Sequence, residues 1–240
     1  MFAGLKQLFS PSNKDLRKRI YFTLMCLGLF CLGTTITIPW ASALYQELGF
    51  LEIFNLMSGG GLRSFSIFAL GVSPYITASI ITQLLQMDII PYFKELKEEG
   101  YTGRQKINRI TRYLGIIFAF IQGYILTIVY MKGMSSLDIL KTTVVMTAGT
   151  CFLLWLGDQV TTKGIGNGIS FIILIGIIAR LPQSLFQELI SRMTDKTGGL
   201  IMFLFEIVFL LIVIAGAILL VQGTRKIPVQ YAKRIVGDKK

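Results

Sequence analysis

The sequence predicts an all-α polytopic membrane protein with six transmembrane helices and a re-entrant half-helix between the first two spans. Three observations predict it. The mean hydropathy is +0.64, with 53% hydrophobic and 15% charged residues, too apolar for a soluble domain. Apolar stretches at 20–40, 67–90, 113–131, 142–156, 169–186 and 200–221 approach the roughly 20 helical residues needed to cross a hydrocarbon core about 30 Å thick. Between the first two lies FNLMSGGGLR, whose 54–62 portion is too short to cross and too apolar to be comfortable as a solvated loop.

Residues 1–19 contain KDLRKR and read as a short amphipathic or irregular cytoplasmic arm that anchors orientation. The first span follows. Its basic flank, apolar run and Ala41-Ser42-Ala43 imitate a secretory signal with a cleavage site, but the apolar run is too long and five further spans follow. Gly28 and Gly33 allow close helix contact, although their spacing is not GxxxG.

Broken backbone is tolerated at membrane depth only where protein or a water-filled cavity surrounds it, so Gly59, Gly60 and Gly61 imply a cavity beside the half-length segment. The alternative is a glycine-rich external turn. In the second span, Pro74 removes a backbone donor and predicts a kink near Leu70 or Gly71. Val72 and Ile76 are four residues apart, as are Ile169 and Ile173 in the fifth span, so each pair shares a helical face. Spacing alone leaves plain packing or lipid contact open.

The stretch 88–112, with KELKEEGYTGRQKINRITR, reads as a solvated cytoplasmic hairpin before the third span. Its Arg104, Lys106, Arg109 and Arg112 serve as orientation signals, as a docking surface, or as both. The fourth stretch is short, and the fifth contains Arg180 and Pro182, so both lean on protein neighbours or let Arg180 reach the interface. Between them, Gly164-Ile165-Gly166-Asn167-Gly168 predicts a tight cytoplasmic turn, since the spacing matches neither a dinucleotide fingerprint nor a P-loop. The chain therefore carries no ATP engine of its own. Glu206 in the sixth span is a proton- or ion-site candidate, or else a group near the outer interface or facing a polar cavity.

The net charge of +11 suggests nucleic acid, but topology accounts for it better. With the N-terminus in the cytoplasm, 18 Lys and Arg fall inside and six outside: Arg63, Lys132, Lys141, Arg180, Arg192 and Lys196. That excess predicts both termini on the cytoplasmic side. Histidine is absent, which removes Ser-His-Asp and Cys-His catalysis, and Cys26, Cys31 and Cys151 are scattered within spans without a metal-ligand pattern. No catalytic residue, metal or cofactor is expected, and the chain is not read as an enzyme.

SIFALGVSPYITASIITQLL and LWLGDQVTTKGIGNGISFII closely resemble the two signature segments of the SecY family, the central subunits of the bacterial protein-conducting channel. FNLMSGGGLRS, EEGYTGRQKINRITRY and RKIPVQYAKR match in family order, so the resemblance covers almost the whole chain. It implies two inverted halves of five helices, of which this chain carries the first half and the sixth helix. The boundaries are a basic arm at 1–19, a five-helix half at 20–186 with a plug at 54–63, an external loop at 187–199, the sixth helix at 200–222, and the start of a basic cytoplasmic loop at 223–240. Counterparts of helices seven to ten lie beyond Lys240, which puts autonomous channel activity in doubt.

The resemblance further implies a passage for unfolded secretory polypeptides with lateral release of transmembrane segments. Val72, Ile76, Ile169 and Ile173 match the apolar pore ring. Phe54, Asn55, Leu56, Met57, Ser58, Gly59, Gly60, Gly61 and Leu62 match the plug, while Thr77, Ile80 and Gln83 lie on the lateral-gate helix. Arg225, Lys226, Lys233 and Arg234 match the loop that docks a ribosome, through its rRNA, or the SecA ATPase motor. SecE-like and SecG-like small subunits, signal sequences, nascent chains and the lipid bilayer complete the implied partners, in the plasma membrane of a bacterium. A non-conducting half-translocon scaffold and a small-molecule or ion-coupled transporter are the alternatives.

Overall fold

A computed structural model describes residues 14–41, 51–87, 90–131, 133, 135–194 and 199–223. These form α1 (Lys14–Thr35), α2 (Glu52–Met57), α3 (Ser73–Leu85), α4 (Pro91–Glu98), α5 (Tyr101–Tyr130), α6 (Ser136–Lys163), α7 (Gly168–Thr194) and α8 (Gly199–Gln222). The stretches Tyr101–Tyr130, Ser136–Lys163, Gly168–Met193 and Ile201–Gln222 are long and apolar enough to cross a membrane. The all-helical, multi-pass class follows. The chain divides into two compact units, Met1–Pro182 and Gln183–Lys240, with the boundary inside α7 at its internal proline.

The first two expected spans are not continuous helices. α1 begins at Lys14 in the charged KDLRKR, so residues 14–19 of the expected arm share one helix with the span, which is helical only as far as Thr35. α3 has only 13 residues, roughly 20 Å of helix. The kink expected at Leu70 or Gly71 is absent because the helix starts later: Gly71 turns with φ +56°, and Pro74 occupies the first turn of α3, where no N–H partner is lost. The fourth stretch, read as short, is the middle of a 28-residue helix. Within the stretch 88–112 the structure describes α4, a turn at Gly100 with φ +72°, and the first turns of α5.

Backbone outside the helices is paired internally. Residues 36–38 run antiparallel to 65–67, with the Ile38 N–H donating to the Phe65 carbonyl at 3.0 Å and the Ile67 N–H to the Ile36 carbonyl at 3.0 Å. Further along, the Ser66 N–H reaches the Gly61 carbonyl at 2.9 Å and the Gly71 N–H the Phe68 carbonyl at 2.9 Å. This is the condition for irregular chain to sit among apolar helices.

Two apolar clusters hold this segment. One gathers Ile38, Leu62, Phe65, Ala69, Leu70, Ala119, Met131 and Met146. The other gathers Cys26, Phe30, Phe68, Val72, Leu153, Leu156, Val160 and Ile172. Phe68 stacks between Phe30 at 6.2 Å and Phe152 at 5.8 Å, joining α1 to α6. Gly33 leaves the space that the Phe68 ring fills, whereas Gly28 has open space around it.

The buried face of α5 reads Gly103, Ile107, Thr111, Gly115, Ala119, Gly123 and Thr127, one residue every four positions. A stripe of mostly small side chains lets α3 and α6 approach closely, the main source of helix association where lipid is as apolar as protein. Tyr75 of α3 seats its backbone over Gly115, and Leu70 and Thr143 close over Gly123. At the α6–α7 turn, Gly166 has φ +66° and Asn167 Oδ1 accepts the Ile169 N–H at 3.1 Å, so the glycine cluster forms the tight turn that its sequence predicts.

Ser66 is fully buried, and its Oγ has no hydrogen-bond partner. Ser66→Ala is therefore expected to stabilise the protein by about 1 kcal/mol, because an unmet buried hydroxyl is removed at little loss of packing. Thermal unfolding in detergent checks this, and a lower midpoint would contradict it.

Candidate functional site

The half-length segment forms a short helix followed by a chain of turns. Glu52–Met57 makes less than two turns, and the buried Asn55 organises what comes next. Its carbonyl accepts the Gly60 N–H at 2.7 Å and the Ser58 hydroxyl at 3.0 Å, its Oδ1 accepts the Arg63 N–H at 3.0 Å, and its Nδ2 donates to Glu52 Oε1 at 2.9 Å. Asn55 thus acts as a staple. Ser58, Gly59, Gly60, Gly61 and Leu62 are buried, Phe54 and Met57 half-buried, and Leu56 exposed. A solvated glycine turn does not fit this burial.

Gly59 and Gly60 have φ of +67° and +81°, a region that L side chains rarely adopt. These turns bring the segment against α7. Gly176 faces it with no side chain, since a Cβ there would lie 2.7 Å from the Met57 carbonyl oxygen and 3.2 Å from the Gly59 nitrogen. One turn further along α7, Arg180 Nε donates to the Gly59 carbonyl at 2.9 Å, and its guanidinium covers the spot where a side chain at Gly60 would project. The sequence offers Arg180 protein neighbours or the interface. The structure takes the first.

An open-sided space lies near the segment, although none of the three glycines lines it. About 320 Å³ of space lies between Phe54 and Leu62 of the segment, Leu70 and Ser73, and the α5 residues Gln122, Ile125 and Val129. Its lining is largely apolar.

Val72, Ile76, Ile169 and Ile173 come together at one cluster, though unequally. Val72 is 1% exposed, packed among Phe68, Leu153 and Ile172, while Ile76, Ile169 and Ile173 are half-buried against the same cluster. The Ile76 N–H donates to the Val72 carbonyl at 3.2 Å, so the first pair spans the opening turn of α3. On α3 the buried face carries Ala78 and Thr82. Thr77 is half-buried, whereas Ile80 and Gln83 are exposed, and Gln83 borders a space shared with Arg104, Ile107 and Thr111 of α5. Gln83 Nε2 donates to Ser79 Oγ at 3.4 Å.

Charged groups outside this region pair among themselves. Arg112 Nη2 donates to Asp158 Oδ1 at 2.8 Å, tying α5 to α6, and Lys106 Nζ meets Glu99 Oε2 at 3.0 Å. Glu206 does not stand alone. Arg192 Nη2 donates to its Oε1 at 2.8 Å, and Arg192 Nε donates to Glu188 Oε1 at 2.8 Å. Among the described residues no group of three His, Cys, Asp or Glu could hold a metal ion. Arg225, Lys226, Lys233 and Arg234 lie outside the described residues.

Sequence reading counted Asn55 in the plug without its stapling role, and missed Gly176 and the role of Arg180. An asparagine in an apolar segment and an arginine in an apolar span were the available signals, since each is costly at membrane depth unless satisfied.

Comparison with known proteins bears on the same region. The family model described as SecY matches residues 66–240. Protein translocase subunit SecY 1 of Lactobacillus kefiranofaciens subsp. kefiranofaciens is 43% identical over 251 residues, covering 98% of this chain and 58% of the relative. Protein translocase subunit SecY of Staphylococcus epidermidis is 44% identical over 250 residues, with the same coverage. The chain spans 58% of the length of these curated relatives. Sec61 in the canine ribosome-channel complex from the endoplasmic reticulum has a similar fold, with a TM-score of 0.56 at 20% identity over 71% of this chain and 37% of that one. A structure described as showing that the plug domain of the SecY protein stabilises the closed state and maintains a membrane seal matches with a TM-score of 0.53 at 21% identity, over 71% of this chain and 36% of that one.

Proposed function

The chain belongs to the SecY family, and on that premise we propose that it builds the plug-bearing wall of a protein-conducting channel in a bacterial plasma membrane. Unfolded secretory polypeptides are the substrate class, and transmembrane segments leave sideways into lipid. The observation that carries this reading is the buried, internally paired 52–72 segment, seated among apolar helices beside the cluster that contains the ring residues. In this reading Phe54 to Leu62 fill the external funnel when the channel is idle.

The half-exposed Ile76, Ile169 and Ile173 form the chain's share of an apolar gasket, and Val72 packs behind them. Such a gasket disfavours a continuous water and ion column, yet parts around a polypeptide without reading its sequence. Thr77, Ile80 and Gln83 on α3 border the lateral exit. Both termini lie in the cytoplasm, where Arg225, Lys226, Lys233 and Arg234 meet ribosomal RNA or the SecA motor through charge. SecE-like and SecG-like subunits flank the channel. The chain does no covalent chemistry itself, so the driving energy comes from its partners.

Import of a preprotein into proteoliposomes containing the assembled channel tests the proposal. Import that depends on this chain and on an intact signal sequence supports it. Import that proceeds equally when the chain is omitted overturns it.

A non-conducting half-translocon scaffold is the second reading. Co-purification with a SecE-like subunit without import would favour it. The ion-coupled transporter loses its support, because Glu206 is held in an ion pair. Glu206→Gln is expected to cost no more than about 1 kcal/mol of stability, as partly exposed pairs generally do, and to leave import unchanged. Loss of import at normal protein levels would contradict this.

A further inference from the structure

Arg180 sits in an apolar helix at a place where a cation is expensive unless its donors are met. Among the described residues no carboxylate lies within ion-pair distance of it. What it meets is main chain: the Gly59 carbonyl, 2.9 Å from Nε. Three features make this contact possible. Gly176, one turn earlier on α7, lets the segment come close; the positive φ of Gly59 turns the local backbone; and the missing side chain at Gly60 leaves room for the guanidinium. The next glycine in the run, Gly61, is instead crowded by Ser66 and by the backbone of Ser58 and Phe68. The geometry is specific to α7.

We propose that Arg180 is the latch of the plug, a positioning residue whose hydrogen bond to the Gly59 carbonyl sets how often segment 54–62 leaves its seat. The inference rests on the plug reading above and adds the group that holds the plug closed. When the segment is displaced, the guanidinium loses its protein acceptor and must turn to water or to carbonyls of a passing chain. Every extended polypeptide offers such carbonyls, so the exchange is independent of sequence. The latch therefore opposes idle opening more than opening by substrate, which supplies replacement acceptors.

A hydrogen bond from a charged donor is worth enough that its loss shifts the seated-to-displaced ratio about tenfold or more. The test places cysteine at Ser58, which is 1% exposed in the seated segment, in the assembled channel in membrane vesicles, with the native cysteines replaced. Labelling by a water-soluble maleimide reports displacement. Arg180→Met is expected to accelerate labelling about tenfold, and Arg180→Lys, which keeps a cationic donor, to restore most of the slow rate. Gly60→Ala should accelerate it from the plug side, both by displacing the guanidinium and by straining the backbone at φ +81°.

Unchanged labelling in Arg180→Met overturns the latch, as does equal acceleration by Met and Lys. If Arg180→Met fails to accumulate in membranes, Arg180→Gln replaces it under the same criteria. Deleting 54–62 separates the two claims. If deletion raises idle ion leak but Arg180→Met leaves labelling unchanged, the plug stands and the latch falls. If deletion leaves leak unchanged, the plug reading falls and takes the latch's function with it.

Discussion

Asparagine at Ile76, Ile169 and Ile173 in the assembled channel is expected, on the proposed gasket role, to raise idle ion leak at least about tenfold, since wetting an isoleucine-sized apolar surface costs roughly 1.5–3 kcal/mol and asparagine removes most of that penalty. Signal-sequence discrimination loosens in parallel, because a weaker seal lowers the barrier that a signal must overcome. Val72→Asn behaves differently. Its side chain is 1% exposed, so the amide is buried without a partner and the main effect is a loss of about 1–3 kcal/mol of stability. Conductance across planar bilayers and thermal unfolding in detergent separate the two. Tight channels with all three asparagines present would remove the gasket role.

The second large effect concerns folding. At Gly149 in the middle of α6, a Cβ would run into the carbonyl of Ile67, and the obstruction is backbone rather than a movable side chain. Gly149→Val is expected to cost more than about 3 kcal/mol, beyond the usual range of overpacking, because Ile67 is fixed by its bond to Ile36. The variant should fail to accumulate in membranes. Gly28→Val, where nothing lies within 4 Å, should accumulate normally. Membrane levels by immunoblot check both, and equal levels would show that the 65–67 strand is not held as described.

Membrane class and the long helices were legible because apolar length is a strong signal. The break in the second span was not. SIFALGVSP is apolar throughout, and a short apolar run looks the same whether it becomes helix or buried extended chain. Pro74 carried an ambiguous message for the same reason: it breaks a helix from within but starts one at its first turn. The half-length segment was legible as irregular chain near a cavity, since three consecutive glycines favour little else.

Its partner was less visible. Arg180 lies more than a hundred residues from Gly59, and sequence alone leaves a membrane arginine free to reach the interface. Glu206 was similar, since an isolated carboxylate in a sequence says nothing of an arginine fourteen positions away. The stripe of every fourth residue on α5 was readable in principle. It was overlooked because small residues leave no trace in a hydropathy profile.

That stripe carries a consequence for how the protein is made. α5 and α6 can pair as soon as both are in the bilayer, since their backbones are satisfied within each helix and their small residues interlock directly. The 58–72 chain cannot enter lipid alone, because its backbone groups depend on residues 36–38, on each other and on the Thr150 hydroxyl, which donates to the Gly71 carbonyl at 3.3 Å. Although synthesised earlier, it must wait at the water interface until α5 and α6 have formed the groove that receives it. The chain thus assembles out of its written order, with later helices building the seat for an earlier segment.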